Sequence, residues 1–191
     1  HETLTQNRIS LFALRPRLYR DVSPESEFYL HSYLYAVSQL TMHSQNKHIG
    51  WNKTGLIQLE GALNKRGKFS QETYSSIYPS SIFHSLTNEQ ARELSKLNLS
   101  TGGLYFPDGG FVETKKLYNF YLSAKEISKN YNSPVKNLKY RDGKWTLYSA
   151  DQTEIAKSRV VIIANSHCLT QFNQTAYLPI SKSHGYSNWL E

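Results

Sequence analysis

The run Thr101-Gly102-Gly103-Leu104-Tyr105-Phe106-Pro107-Asp108-Gly109-Gly110-Phe111-Val112 constrains this chain more than any other stretch. Gly102 and Gly103 permit a sharp turn or a close backbone approach. Leu104 to Phe106 is apolar and aromatic, as a short strand would be. Pro107-Asp108-Gly109-Gly110 is turn chemistry, with one fixed φ and two free ones. Leu117, Phe120, Tyr121, Ala124 and Ile127 then recur at helical spacing, so an amphipathic helix is expected over about 113–130. The pattern alone fits a strand, a tight loop and a surface helix, which many folds contain.

The 191 residues suffice for a real core in one or two domains, and 39% hydrophobic with 19% charged residues excludes wholesale disorder. No apolar run approaches the roughly 18–20 residues of a membrane span. The first residues, His1 to Arg8, carry no apolar signal-peptide core. Cys168 is the single cysteine, so there is no internal disulfide framework. These features predict a cytoplasmic protein. The net charge of +7 attracts polyanions, nucleic acid first, although many basic proteins bind none. The 14 tyrosines suit base stacking or a core equally.

Along the chain, Ser23-Pro24-Glu25 is a helix start, and Phe28, Tyr33, Leu34, Val37 and Leu40 give that helix an apolar face to about residue 41. Gly55 to Leu59 reads as a strand. Residues 61–81 read as loop and a short polar helix, with a local basic cluster at Lys65, Arg66 and Lys68. Thr87 and Gln90 form a capping box for a helix over 87–97. Val135 to Tyr140 alternates as a half-buried strand does. Asp142-Gly143 is a two-residue hairpin turn, answered by Trp145 to Ser149. A turn at Asp151-Gln152 leads to Thr153 to Ala156. Val160-Val161-Ile162-Ile163-Ala164 is a β-branched run expected as a strand covered on both faces.

Gly-Gly-Leu-Tyr-Phe-Pro-Asp-Gly-Gly-Phe-Val resembles the strand–loop–helix entry of the D-amino-acid-oxidase-like flavoenzymes, in particular the oxidoreductase domain that matures a wobble uridine in tRNA. The Pro134-Val135 strand, the hairpin, the buried run and Gln174-Thr175-Ala176-Tyr177-Leu178-Pro179 follow in the family's order. The resemblance implies an α+β chain that is the central fragment of an FAD-binding fold, a mixed or antiparallel sheet with flanking helices. It implies flavin-side segments at 1–44 and 113–168, and substrate-side segments at 45–112 and 169–191, the last truncated. It places Val135, Ala164, Asn165 and Ser166 beside the adenosine half of FAD, and Asn7 and Arg8 in a loop beside the flavin. The family has Gly where this chain has Ser166. Arg8, with Arg15 and Arg17, also reads as solvated surface charge. Tyr105 is a candidate for the substrate carboxylate, as Arg8 is, because a carboxylate wants such donors.

The implied reaction oxidatively removes the carboxymethyl group from carboxymethylaminomethyl(-2-thio)uridine in tRNA. The implied partners are tRNA and a methyltransferase domain or partner that completes the modification, with no membrane. The Gly-x-Gly-x-x-Gly turn that grips a dinucleotide diphosphate is not in this sequence, so the fragment is expected to bind FAD weakly or not at all. No metal-ligand spacing and no Ser-His-Asp set stand out, Asp108 reads first as a turn former, and no catalytic residue is assigned. Two rival classes stay open: a flavin amine oxidase of a small free amino acid, of glycine or sarcosine type, and a non-catalytic basic RNA-binding module.

Overall fold

The computed structural model describes residues 10–60 and 74–181. The chain divides into two units, His1–Ala124 and Lys125–Glu191.

The first unit is built, among its described residues, of short strands and helices. In chain order these are β1 (Leu11–Leu14), α1 (Pro24–Ser44), β2 (Trp51–Asn52), β3 (Leu56–Leu59), β4 (His84–Leu86), α2 (Asn88–Ser95), β5 (Gly103–Phe106), β6 (Gly110–Glu113) and α3 (Thr114–Leu122). They make two antiparallel sheets, ordered β1-β6-β2 and β3-β5-β4. The glycine-bracketed run therefore supplies the central strand of both. The turn between those strands closes by Gly109 N–H donating to Phe106 O at 3.0 Å, and Gly55 N–H binds Gly109 O at 3.0 Å. A Cβ on Gly103 would run into the Gln58 carbonyl oxygen, and one on Gly110 into that of Asn52. Both positions are glycine because the neighbouring strand's backbone lies that close.

Two apolar clusters hold this unit. Tyr78, Ile82, Phe83, Leu104 and Phe106 form one, with Leu104 and Phe106 fully buried. Leu40, Ile49 and Val112 form the other, packed by Leu14, Trp51, Leu117 and Phe120. Helix α1 starts as expected: Ser23 caps it, Pro24 is its first residue, and Tyr33, Val37 and Leu40 are its buried stripe. Helix α2 has its capping box, with Thr87 N–H to Gln90 Oε1 at 2.9 Å and Gln90 N–H to Thr87 Oγ1 at 3.3 Å. Helix α3 is shorter than the expected 113–130. It closes through Ser123 N–H and Ser123 Oγ, both donating to Phe120 O, and Ile127 beyond it stays 42% exposed. Without burial of that turn, continuing the helix gains little.

The second unit is a meander, β7 (Asn137–Arg141), β8 (Lys144–Tyr148) and β9 (Glu154–Ser158), then a 3-10 helix at Ser166–Gln171. Asp142 and Gly143 both take positive φ, 51° and 74°, the geometry of the expected tight hairpin. The expected strand at 160–164 is not formed. Those residues pair with no strand among the described residues, and Val160 is 70% and Ile162 86% exposed. A β-branched run of this kind needs a pairing strand and cover on both faces, and the described residues of this unit supply neither. The α+β expectation holds; the described pairings are all antiparallel, so the mixed sheet is not seen.

Candidate functional site

Among the cofactor-side positions, Val135 is half-buried and lies two residues before β7. Lys136 N–H donates to Tyr148 O at 2.8 Å, so the sheet contact begins just after Val135. Ala164, Asn165 and Ser166 are exposed and lead into the 3-10 helix. Ser166 sits at φ 57°, in the left-handed region that favours glycine. The chain keeps the backbone of a glycine tip while carrying a serine. The tail after Ser166 is tied to the strand after Val135: Gln174 Nε2 donates to Leu138 O at 2.8 Å, and Phe172 is buried. No Gly-rich turn at a helix N-terminus accompanies the Ser166 tip among the described residues.

Cys168 Sγ lies 3.6 Å from His167 Nε2 in the 3-10 helix. Among the described residues no group of three or more His, Cys, Asp and Glu side chains is placed to hold a metal ion.

In the first unit Tyr105 is half-buried on β5, opposite Ile57 and His84. Its ring stacks on His84 with centroids 6.5 Å apart and lies where a side chain at position 55 would go. Asn7 and Arg8, the basic cluster at 65–68 and the segment from 182 onward lie outside the described residues. Arg17 is more than a solvated charge. Its guanidinium carbon stands 5.0 Å from the ring centroids of both Tyr19 and Tyr29, a cation–π arrangement. Arg15 is lowered from its ordinary pKa by burial and donates to Pro16 O at 3.2 Å.

Two features were not foreseen. The Tyr33 hydroxyl, on a side chain only 5% exposed, has no hydrogen-bond partner among the described residues. Burial, and then the negative charge of Asp108, push its pKa up to about 12. Asp108 itself pairs with Lys53 at 2.5 Å. The second is an apolar groove of about 530 Å³ between α1, β1, β6 and α3, lined by Phe12, Tyr35, Leu40, His43, Leu117 and Tyr121 among others. That is the size of a small-molecule site. Its walls come from two stretches far apart in sequence, β1 with α1 and β6 with α3, so no local pattern announces it. Exposed Phe12, Tyr35 and Tyr121 are the signal that could have.

No family model matches the chain. The proteins to which it is similar are of one class, bifunctional proteins of tRNA thiouridine biosynthesis. They are named tRNA 5-methylaminomethyl-2-thiouridine biosynthesis bifunctional protein MnmC. The MnmC of Shewanella pealeana is 26% identical over 171 residues, 87% of this chain and 26% of the relative. That of Legionella pneumophila strain Lens is 27% identical over 181 residues, 93% of this chain and 26% of the relative. That of Pseudomonas fluorescens is 28% identical over 135 residues, 71% of this chain and 20% of the relative. The chain thus resembles part of MnmC, spanning about a quarter of the length of these relatives. Among the described residues no helix is long and apolar enough to cross a membrane.

Proposed function

We propose that this chain is part of an FAD-dependent oxidoreductase acting on tRNA in the cytoplasm, which removes the carboxymethyl group from carboxymethylaminomethyl(-2-thio)uridine at the wobble position. The observation that carries this reading is the similarity to MnmC along some nine-tenths of the chain, 93% in the Legionella case. The local agreement supports it: the turn between two central strands, the Asp-Gly meander and a glycine-like tip at Ser166 follow in the expected order.

In such a reaction flavin supplies hydride acceptance from the carbon next to nitrogen; hydrolysis of the resulting C=N bond then frees glyoxylate and leaves an aminomethyl uridine. The residues of this chain contribute contacts and orientation. The backbone around Val135 and the tip at Ala164, Asn165 and Ser166 would meet the adenosine half of FAD. Asn7 and Arg8 would meet the flavin half, and Tyr105 or Arg8 the substrate carboxylate. Segments 1–44 and 113–168 belong in this reading to the cofactor side, and 45–112 and 169–191 to the substrate side. A methyltransferase domain or partner would complete the modification.

The test uses the complete gene product that carries this chain, with FAD. Glyoxylate is measured with tRNA bearing carboxymethylaminomethyluridine, with free glycine and with sarcosine. Release from the tRNA alone is expected. Release from a free amino acid alone would make the protein a small-molecule amine oxidase, and release from none would remove the enzymatic reading.

A further inference from the structure

We propose that one face of the β7–β8–β9 meander holds the phosphate backbone of tRNA through Lys139, Arg141, Lys144 and Lys157. The inference rests on the tRNA reading above and assigns it a surface.

The register puts these cations together. Residues directly opposite in an antiparallel ladder share a face. Lys139 is opposite Thr146, and Thr146 is opposite Lys157; Arg141 is opposite Lys144. Residues two apart along a strand also share a face, so both rows lie on one side. All four cations are exposed, while Thr146, between Lys139 and Lys157, is 7% exposed. The carboxylate on this face is Glu154, opposite Tyr148, and it pairs with Lys157 at 2.8 Å. With Asp142 in the turn between Arg141 and Lys144, four cations against two carboxylates leave a net charge of +2 on the patch and its turn.

Spacing makes the patch one field rather than four charges. Neighbours along a strand are about 7 Å apart, and neighbours two strands over about 10 Å. Both are close to the screening length of about 8 Å at physiological salt. The opposite face is of different character. It carries Leu138, which is 7% exposed, and Leu147; the Leu138 backbone carbonyl, on the edge strand β7, accepts from Gln174 Nε2 of the tail. The meander therefore carries the four exposed cations on one side, and Leu138, Leu147 and the Tyr140–Trp145 pair on the other.

The same geometry says how RNA would be read. Lys139 Nζ lies 4.8 Å from the Tyr148 ring centroid, so the aromatic ring of this face is already covered by a cation. The paired rings of Tyr140 and Trp145, 5.0 Å apart, belong to the opposite face. The patch offers charge without a stacking platform, which fits phosphates and tolerates any base sequence.

Labelled tRNA is titrated with the complete gene product that carries this chain by fluorescence anisotropy between about 50 and 300 mM salt. The triple variant Lys139→Gln, Arg141→Gln, Lys144→Gln should bind roughly 10- to 100-fold more weakly at the low-salt end, with a log–log salt slope shallower by about 2 to 3. Lys139→Arg with Lys144→Arg should bind like the parent, and circular dichroism checks that each variant keeps its fold. Lys115→Gln with Lys125→Gln, exposed cations off this face, should bind within about twofold of the parent. An unchanged affinity and slope in the triple variant, with tRNA still bound, would overturn the surface and leave the tRNA reading intact. A parent that binds no tRNA would overturn both. Phosphatidylserine vesicles form a second arm: binding as tight as to tRNA, lost in the triple variant, would make the patch a membrane surface and overturn the assignment to RNA.

Discussion

Ser166 carries a backbone cost that its neighbours do not. A non-glycine residue in the left-handed region loses about 1–2 kcal/mol relative to its preferred conformations, and Ser166 holds φ at 57°. Ser166→Gly should therefore stabilise the chain by about 0.5–1 kcal/mol after the added freedom of the unfolded glycine is subtracted. A shift of the urea midpoint to higher concentration checks it; a shift to lower concentration would show that the serine side chain is needed. Gly110 is the reverse case. A methyl there meets the Asn52 carbonyl oxygen, so Gly110→Ala should cost about 1–3 kcal/mol by the same measurement. Tyr33 makes a pH-dependent difference. Its folded pKa is raised to about 12 from the ordinary tyrosine value of 10.0, so the folded state keeps the proton longer than the unfolded one. The stability it contributes is fully present below pH 10 and is lost as pH rises towards 12. Tyr33→Phe removes a buried hydroxyl without a partner among the described residues, so it should be more stable than the parent by about 1–3 kcal/mol at pH 8 and by a wider margin at pH 11, read as the difference in thermal midpoint. Equal loss in both proteins would place the hydroxyl in an ordinary environment.

The elements legible in the sequence are those whose signals are local. The Ser23-Pro24 start, the Thr87–Gln90 box and the Asp142-Gly143 hairpin each depend on a few adjacent residues, and each is found in place. Strands β1, β4 and β6 were not foreseen. They are three or four residues long, and what makes them strands is a distant partner, such as Leu11 opposite Glu113. The run at 160–164 fails in the other direction: its composition is that of a buried strand, but no partner strand reaches it among the described residues. Hydrogen exchange separates the two conditions. Amides of Val161 to Ala164 should exchange near the unprotected rate, while those of Trp145 to Leu147, in the central strand β8, should be slow. Comparable protection in both segments would mean that the run is paired in solution.

The candidate site was legible to different depths. The sequence showed only that Ser166 stands where the resembled family has Gly; its positive φ comes from the structure. The groove beside α1 and the cationic side of the meander were not legible, because each is assembled by pairing and packing across the chain. The net charge of +7 pointed to a polyanion without saying where it would lie. As proposed, that charge serves tRNA, and the chain supplies part of an enzyme rather than all of one. The direct test is nucleoside mass spectrometry of bulk tRNA from cells in which the gene encoding this chain is disrupted. Carboxymethylaminomethyl(-2-thio)uridine should accumulate and its aminomethyl and methylaminomethyl products should fall, with restoration by the intact gene. An unchanged nucleoside profile would contradict the proposed function.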